Sequence, residues 1–458
     1  MFIRKIVSEG LAHNSYIVGD GDEAFIVDPK RDVDPYIEVA DDECCKIRFV
    51  FETHRNEDYL IGSRELENLT GCRIMHGSQF DFGYGDPARD GDVFKIGRLI
   101  LRVLETPGHT TESLSFVLYS TGKDIPLAVF TGDALFYGDV GRTDLRGEEN
   151  KAELASSLYD SLHGKLLPLG DHVVVYPAHG SGSACGGNIA DLEISTIGYE
   201  RSTDPMLGLS KEEFIERKMM ETLLLPPYFE RMREHNQKGP EILNMKRIEP
   251  MDETMIEEAM PHCVIIDTRS PLSFAGGHIG GSYNIWMNGL SRFAGWIIEY
   301  DKDILLVTEG GENVETARRY LARIGFDSIR GYLCGGIEDW QNNGLPLEQS
   351  GVHTIAGLYE RLKEKNNVFL LDVRERREYA QGHIAGTVNI YVGDLERRLE
   401  EVPSDMPVVA VCSTGNRSGL GASILKRHGY KEVNNLAGGT TAWKKKGFPT
   451  TEERSDKV

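Results

Sequence analysis

Four segments in the first half of the chain place a histidine or an aspartate just after an apolar run. They are Thr53-His54-Arg-Asn-Glu-Asp-Tyr, Thr106-Pro-Gly-His109, Thr131-Gly-Asp133 and Tyr176-Pro-Ala-His179. The apolar runs before them predict β-strands, at 47–51, 99–104, 128–130 and 173–175. Imidazole and carboxylate groups are common protein ligands of transition metals. Because the ends of neighbouring strands meet at one edge of a sandwich, the pattern predicts a metal site there.

A second reactive segment surrounds residue 412, where a buried apolar strand runs into a loop of small polar residues. Cys412 follows Val408-Val-Ala-Val, and the spacing of apolar residues predicts a helix over 417–428. Backbone N–H groups of the loop, the positive end of the helix and the Arg417 guanidinium all favour a thiolate. The segment therefore predicts a reactive cysteine that can carry an anionic or persulfidic sulfur. The loop around it contains Ser413, Thr414, Gly415, Asn416 and Ser418.

The C-terminal half contains a duplicated unit of about 100 residues. Ile265-Ile-Asp-Thr-Arg matches Leu370-Leu-Asp-Val-Arg at an offset of 105 residues. The match continues through the Gly-His-Ile segments at 277–279 and 382–384. Within each copy, short apolar strands alternate with helical patterns, which predicts a parallel sheet flanked by helices.

The repeated unit resembles the rhodanese family of sulfurtransferases. The motifs that carry the resemblance are Asp-x-Arg, Gly-His-Ile-x-Gly and Asn-Ile, followed in the second copy by Cys-x4-Arg. The resemblance implies that Cys412 accepts a sulfane sulfur beside Arg417. Cysteine phosphatases use a loop one residue longer, so the spacing favours sulfur chemistry, and an inert buried thiol is the other alternative. In the first copy Thr308 and Asn313 replace the cysteine and the arginine, which predicts a silent domain.

The four metal-type segments resemble the metallo-β-lactamase superfamily, whose first motif is His-x-His-x-Asp-His. This chain departs from the motif at Asn56 and Tyr59, and a two-zinc hydrolase would lose a ligand at each position. Resemblance to the persulfide dioxygenases of the superfamily implies that His54, His109 and Asp133 hold one Fe(II) per chain. Two imidazoles and one carboxylate are the donor set of Fe(II) oxygenases, which leaves positions open for substrate and dioxygen. Zinc is the alternative metal.

Four polar residues are predicted beside this metal. Asn56 and Tyr59 would adjoin it, and Tyr59 would narrow the cavity or offer a hydroxyl group. Asp58 and His179 match residues that hold a second metal in the hydrolases of the superfamily. In a one-metal enzyme, we expect Asp58 and His179 to hydrogen-bond bound water instead.

Two further residues lie in segments similar to those of persulfide dioxygenases. Arg142 either orients a carboxylate of the thiol substrate or pairs with Asp144. Cys185 either lies near the mouth of the cavity or is a loop thiol without function. The sequence leaves both alternatives open.

Composition limits the classes of partner. The chain has 458 residues and a formal charge of −21, from 51 basic and 72 acidic residues. This acidic balance argues against nucleic acid and against an anionic membrane surface. No apolar run approaches the roughly 20 residues of a membrane-spanning helix. Seven cysteines without a Cys-x-x-Cys pair argue against a disulfide scaffold and favour the reduced cytoplasm.

We therefore expect a multidomain protein of mixed α/β and α+β class. The expected parts are a metallo-β-lactamase-like αββα sandwich at 1–240, a rhodanese-like domain without the cysteine at 251–349, a rhodanese domain with Cys412 at 351–450 and a disordered tail at 451–458. The resemblance also implies a homo-oligomer, either a dimer or a tetramer.

Together these features predict two linked reactions on sulfur. The iron site would oxidise a low-molecular-weight persulfide with dioxygen to sulfite, and Cys412 would form or use thiosulfate, in the removal of reactive sulfur derived from sulfide. One alternative is a zinc-dependent, glyoxalase-II-like thioester hydrolase fused to rhodanese. The other alternative is a metal-free N-terminal scaffold that serves a sulfurtransferase.

Overall fold

The computed structural model describes residues 1–243, 246–364 and 367–453. The chain divides into two units, Met1–Asn244 with Ala322–Gly325 and Met245–Leu321 with Phe326–Val458. The disordered tail predicted at 451–458 begins too early, because Thr451 pairs with His383 in an isolated β-bridge. From position 454 onward the tail lies outside the described residues. Across the described ranges, no helix is long and apolar enough to cross a membrane.

The strands of the first unit form two sheets. The first sheet keeps the order of the sequence, with β1 (Phe2–Ser8), β2 (His13–Asp20), β3 (Glu23–Val27), β4 (Lys46–Phe51), β5 (Arg73–Gly77) and β6 (Asp86–Ala88). The second sheet has the order β12-β11-β10-β9-β8-β7, with β7 (Val93–Ile96), β8 (Leu99–Glu105), β9 (Leu114–Ser120), β10 (Pro126–Gly132), β11 (Val174–Pro177) and β12 (Ser195–Thr196). The helices are α1 (Asp34–Asp42), α2 (Ser63–Thr70), α3 (Glu148–Ser161), α4 (Ile197–Thr203), α5 (Lys211–Met220) and α6 (Phe229–Lys238).

An aromatic core joins the inner faces of these two sheets. Phe25 lies 6.1 Å from Phe130, and Phe51 lies 5.0 Å from Phe116, measured between ring centroids. All four rings are fully buried, and each burial contributes about 1.5–3 kcal/mol. Helices α1 and α2 cover the outer face of the first sheet, and α3 and α5 cover that of the second. This arrangement confirms the predicted αββα sandwich.

The second unit contains two parallel sheets of identical strand order. The first has the order β13-β17-β16-β14-β15, with β13 (Pro250–Met251), β14 (Cys263–Asp267), β15 (Tyr283–Asn284), β16 (Asp303–Val307) and β17 (Ile329–Leu333). The second has the order β18-β22-β21-β19-β20, with β18 (Gly351–His353), β19 (Phe369–Asp372), β20 (Thr387–Asn389), β21 (Val408–Val411) and β22 (Val433–Leu436). The helices are α7 (Glu253–Ala259), α8 (Pro271–Gly276), α9 (Leu290–Ile297), α10 (Asn313–Ala322), α11 (Gly336–Asn342), α12 (Ile355–Lys363), α13 (Arg376–Ala380), α14 (Asn416–Arg427) and α15 (Gly439–Lys445).

Equivalent side chains make equivalent contacts in the two copies of this unit. The buried indole N–H of Trp340 donates to the Pro346 carbonyl at 3.0 Å, and that of Trp443 donates to the Pro449 carbonyl at 2.9 Å. Each indole packs in the core of its own sheet. The predicted duplication and the predicted parallel sheets are both present in the structure.

One glycine lets the backbone approach the loop that contains Cys412. Gly439 has a φ of +52°, and a Cβ atom there would lie 2.2 Å from the Cys412 carbonyl oxygen and 2.6 Å from the Ser413 carbonyl carbon. Both the backbone conformation and the contact therefore require glycine. The N-terminal end of α15 thereby supports the loop, since the Thr440 N–H donates to the Cys412 carbonyl at 2.8 Å.

We expect Gly439→Ala to destabilise the second unit and to displace the Cys412 loop. Gly447→Ala is the matched control, because Gly447 also has a positive φ of +72° but a Cβ atom there would meet nothing within 4 Å. The control should lose only the left-handed backbone preference of about 1–2 kcal/mol, whereas Gly439→Ala should lose clearly more. Urea unfolding measures both losses, and equal losses would contradict the close approach.

Candidate metal centre and reactive cysteine

Three loops at one edge of the sandwich position the predicted metal ligands. His54 follows β4, His109 follows β8, and Asp133 follows β10. The exposed fractions of these side chains are only 2%, 0% and 2%. The sequence folds this way because each apolar strand ends at the same edge of the sandwich and is followed by a polar loop.

The structure brings the three donor groups together. The Nε2 atom of His109 lies 3.4 Å from Asp133 Oδ2, and Nε2 of His54 lies 3.8 Å from the same oxygen. The two imidazole rings are 5.0 Å apart and nearly perpendicular. Ligands about 2.1 Å from one ion and about 90–110° apart lie about 3.0–3.4 Å from each other. The observed spacing is therefore close to that of a mononuclear metal site.

Hydrogen bonds on the far side of each imidazole fix which nitrogen faces this centre. The Thr53 hydroxyl donates to Asp28 Oδ2 at 2.7 Å, so it accepts a hydrogen bond from His54 Nδ1 at 2.9 Å. Nδ1 of His109 donates to the Arg142 carbonyl at 2.9 Å. Because both Nδ1 atoms carry hydrogen, both Nε2 atoms present a lone pair to Asp133.

These donor atoms fit a divalent cation. Nε2 of His54, Nε2 of His109 and Oδ2 of Asp133 are buried and have no hydrogen-bond partner in the part of the chain that the structure describes. Burial lowers the pKa of His54 to about 4 and also lowers the pKa of His109, so both rings are neutral at pH 7. Three electron-pair donors that face one another without a hydrogen between them repel, and a metal ion removes that repulsion.

His179 holds the carboxylate of Asp133 in place. Its Nδ1 donates to Asp133 Oδ1 at 2.7 Å, and its Nε2 donates to Asp58 Oδ2 at 2.9 Å. Burial opposes a charge on His179, but Asp133 outweighs burial and raises the pKa of the imidazole well above its usual value. Both ring nitrogens are therefore engaged by carboxylates, one of Asp133 and one of Asp58.

Cys185, for which the sequence left two alternatives open, lies in the interior beside the metal centre. Its side chain is 1% exposed, and its sulfur lies within 4.8 Å of ligand atoms of Asp58 and His179. Burial raises the pKa of this thiol, so it is protonated at neutral pH. Cys185 also packs in a small apolar cluster with Phe136 and Ile189.

Arg142 is engaged in the structure of the loop. Its guanidinium forms a bidentate pair with Asp144 at 2.7 and 2.9 Å and also donates to the carbonyls of Ala184 and Leu224. Of the two alternatives left open by the sequence, the structure has the pairing with Asp144. The contribution of Arg142 to the centre is its carbonyl, which orients His109.

Asn56 and Tyr59 follow the first ligand in the same loop, but only Asn56 contacts that ligand. The Asn56 amide donates to the His54 carbonyl at 3.3 Å, and its buried Oδ1 has no partner among the described residues. The Tyr59 ring packs on His13 at 4.1 Å, and its hydroxyl points to the Asp28 carbonyl at 3.5 Å. Tyr59 therefore supports the ligand loops from behind.

Glu57 is a residue of this centre that the sequence reasoning missed. Its carboxyl is 1% exposed, and Oε2 lies 3.8 Å from Nε2 of His109. Its ligand atom is within 4.8 Å of those of both His54 and His109. Burial and the neighbouring Glu112 raise the pKa of Glu57. The available signal was a carboxylate three residues after the first ligand, in the position where the family motif has an unspecified residue.

The loop after β21 forms a cradle around the sulfur of Cys412. The Gly415 N–H donates to Sγ at 3.0 Å, and the Ser418 hydroxyl lies 3.2 Å from Sγ. Cys412 is 1% exposed, and α14 begins at Asn416, directly beyond the loop. Ser418 and Gly415 are fixed from behind by the Asn435 side chain. The geometry agrees with stabilisation of a negative sulfur.

Arg417 pairs with a glutamate that the sequence reasoning also missed. The guanidinium contacts Glu378 at 2.5 and 2.7 Å, and the Ser413 hydroxyl donates to the same carboxylate at 2.9 Å. Burial opposes ionisation of Glu378, but these hydrogen bonds outweigh it and lower its pKa to about 2. The positive charge predicted beside the sulfur is therefore compensated by Glu378. The remaining loop residue, Thr414, is exposed at the tip.

Two family models match the chain. Residues 9–179 match the metallo-β-lactamase superfamily. Residues 253–343 and 354–446 each match the rhodanese-like domain. The two copies of the repeat and the sandwich therefore correspond to folds that are known separately.

The first unit is similar to curated persulfide dioxygenases. The mitochondrial persulfide dioxygenase ETHE1 of Mus musculus is 34% identical over 224 residues, covering 46% of this chain and 77% of that protein. The Homo sapiens protein is 33% identical over 220 residues, with the same two coverages. A crystal structure of a metallo-β-lactamase from Staphylococcus aureus subsp. aureus COL is 31% identical, with a TM-score of 0.65, and covers 73% of this chain and 98% of that chain.

Binding of a divalent metal should stabilise the metal-free protein. At a concentration 100 times the Kd, a metal that binds only the folded state adds about 2.7 kcal/mol to the free energy of unfolding. Calorimetry with Fe(II), kept anaerobic, or with Co(II) should show this as a higher unfolding temperature. His109→Ala should remove the shift, whereas His172→Ala, an exposed histidine of the same unit, should keep it. A shift that survives in His109→Ala would contradict the assigned centre.

Acid should remove the stabilisation that Glu378 provides. Because folding lowers the pKa of Glu378 from 4.5 to about 2, its contribution is complete above about pH 5 and is lost as the pH falls toward 2. Urea unfolding of Glu378→Gln should therefore show a loss of stability at pH 7 that shrinks on acidification. Glu401→Gln is the control, because its ion pair with Arg398 is solvent-exposed and worth little. A loss independent of pH would contradict the pairing.

Proposed function

This chain belongs to the persulfide dioxygenase family of the metallo-β-lactamase superfamily and continues into two rhodanese-like domains, and on that basis we propose that it oxidises a low-molecular-weight persulfide to sulfite. The overall reaction takes one persulfide, one O2 and one water to a thiol, sulfite and two protons. We propose the domain boundaries given above, with the dioxygenase in 1–240, the silent copy in 251–349 and the active copy in 351–450.

One observation carries the oxidative half of the proposal. Nε2 of His54, Nε2 of His109 and Oδ2 of Asp133 converge as buried acceptors, with no hydrogen-bond partner in the described ranges. We propose that they hold one Fe(II). Iron held by this donor set supplies one-electron chemistry with dioxygen, which protein side chains lack.

The neighbouring residues of the chain prepare this centre. Thr53 and the Arg142 carbonyl keep His54 and His109 in the tautomer that presents Nε2. His179 binds one oxygen of Asp133 and leaves the other directed at the two imidazoles. Burial of all these groups excludes water, which protects a reactive sulfur from side reactions.

The second half of the proposal is sulfur transfer at Cys412. Its thiolate attacks the outer sulfur of thiosulfate, an S–S bond forms, and the bond to the sulfonate breaks, so that sulfite leaves with the electron pair. The Gly415 N–H stabilises the negative sulfur before and after the transfer. The Ser418 hydroxyl contacts the sulfur at 3.2 Å but donates its hydrogen to Asn435 Oδ1 at 2.6 Å. In the reverse direction, sulfite takes the outer sulfur from the Cys412 persulfide and thiosulfate is released.

The two reactions share an intermediate. Sulfite is the product of the oxidation and the acceptor of the sulfur transfer, so a chain that carries both sites raises the local concentration of the shared compound. We propose that this coupling removes reactive sulfur derived from sulfide. The thiol that carries the persulfide would be regenerated in the first step.

The alternative of a zinc thioester hydrolase has less support. A two-zinc site would lose two ligands, because Asn56 and Tyr59 replace two histidines of the family motif. The alternative of a metal-free scaffold leaves three buried acceptors without compensation. The mononuclear centre accounts for both observations.

The proposal predicts that the two activities separate by mutation. Iron-loaded protein should consume oxygen with a low-molecular-weight persulfide, and Asp133→Asn should lower this rate by more than about 100-fold. Cys412→Ser should keep oxygen uptake and lose thiosulfate formation. Cys334→Ser is the matched control, because Cys334 is an exposed thiol of the silent copy and should keep both activities.

Oxygen-electrode traces and thiosulfate analysis give the readout. Iron-loaded protein that consumes no oxygen would refute the dioxygenase. Hydrolysis of a thioester without oxygen would favour the zinc alternative. Loss of oxygen uptake in Cys412→Ser would show that the reactions are not separate.

A further inference from the structure

A further buried carboxyl, that of Glu57, lies at the metal centre. Glu57 follows the first ligand by three residues, in the loop after β4, and its side chain is 1% exposed. Oε2 of Glu57 is 3.8 Å from Nε2 of His109 and has no hydrogen-bond partner within the described chain. His54, Glu57 and His109 place one ligand atom each within 4.8 Å of the others. This set contains Glu57 in place of Asp133 as its carboxylate.

Glu57 directly follows Asn56, which is one of the two positions where the chain departs from the family motif. The motif has a second histidine where this chain has Asn56, and the Asn56 amide turns back to the His54 carbonyl at 3.3 Å. The loop that would carry an imidazole therefore delivers the carboxyl of the next residue to the centre. A carboxylate oxygen is a ligand for both Fe(II) and Zn(II), whereas a primary amide is rarely one.

We propose that Glu57 is a fourth protein ligand of the metal, which would make the centre a site of two imidazoles and two carboxylates. This inference rests on the proposed function for the presence of a metal, but it concerns a residue that the family ligand set does not contain. A fourth ligand would change the net charge of the centre. Two carboxylates neutralise a divalent cation, whereas the three-ligand set leaves a net positive charge.

A fourth ligand would also change the number of open positions. Three protein donors leave three positions of a six-coordinate ion, and four donors leave two. Two open positions would admit one persulfide sulfur and one dioxygen. Glu57 would thereby restrict the centre to its two substrates, in a pocket from which the surrounding residues exclude solvent.

A purely structural carboxyl is the competing explanation. Glu112 provides the comparison, because it is equally buried at 1% exposure and lies beside Glu57. In contrast to Glu57, both oxygens of Glu112 accept hydrogen bonds, from the Arg55 N–H at 3.3 Å and from the Thr111 hydroxyl at 3.2 Å. The hydrogen bonds of Glu112 therefore account for its burial, whereas Oε2 of Glu57 has no partner among the described residues.

Metal affinity of the full-length protein tests the inference. The probes are Fe(II) under anaerobic conditions and Co(II), and the readouts are the Kd from chelator competition and the Co(II) d–d absorption spectrum. Glu57→Gln should raise the Kd at least about 10-fold and change the Co(II) spectrum, because a ligand is replaced by a poor one. Glu112→Gln should leave both unchanged, and Glu57→Asp should restore part of the affinity.

Each outcome is decisive. Wild-type affinity and spectrum in Glu57→Gln would overturn the inference and leave the mononuclear iron site standing. The same change in Glu112→Gln would also overturn it, since any loss of a buried carboxyl would then suffice. Wild-type protein that binds neither metal would overturn the proposed function together with the inference. Should Glu57→Gln not fold, a metal-bound wild-type crystal structure decides, by a Glu57 oxygen at about 2.0–2.2 Å from the ion or its absence there.

Discussion

The hydrogen bonds that fix the tautomers of two histidines are the constraint on which the first unit depends. Thr53 and the Arg142 carbonyl each hold an Nδ1 hydrogen, so two lone pairs point at the free oxygen of Asp133. In a buried pocket this arrangement is unfavourable without a cation, because each acceptor has lost its hydration. The packing of the sandwich therefore has to offset the free-energy cost of burying these unpaired acceptors. The site is preorganised for metal binding.

The loop of the second unit has the opposite electrostatic character to the metal centre, because it offers hydrogen-bond donors to a negatively charged sulfur. The cradle supplies it with the Gly415 N–H, while Arg417 is paired with Glu378. A compensated guanidinium stabilises the shape of the loop more than it attracts anions from a distance. The duplicated partner keeps the same sheet order and the same buried tryptophan contact but lacks the cysteine.

Pattern and spacing in the sequence predicted the architecture because they report local constraints. Apolar runs, each followed by a polar loop, predicted the strands whose ends carry His54, His109 and Asp133. The offset between the two copies predicted two similar parallel sheets. The comparisons confirm the sandwich and the rhodanese-like domains. The sequence could not decide between the alternatives for side chains such as Arg142. The carboxylate of Asp144 and a carboxylate of the substrate would bind the same guanidinium group, and residue type does not distinguish them.

The sequence by itself thus determined the order of the domains, the single cysteine of the Cys-x4-Arg motif and the three donors in separate loops, because these depend on residue type and on position along the chain. Tertiary structure alone decided that Glu57 and Glu378 belong to the two sites, and that Cys185 is an interior thiol. Carboxyl groups are common on any acidic chain, so their type carries little information. Only the folded structure determines which carboxyl group is buried and which pairs with a cation, because both depend on neighbours that are distant in sequence.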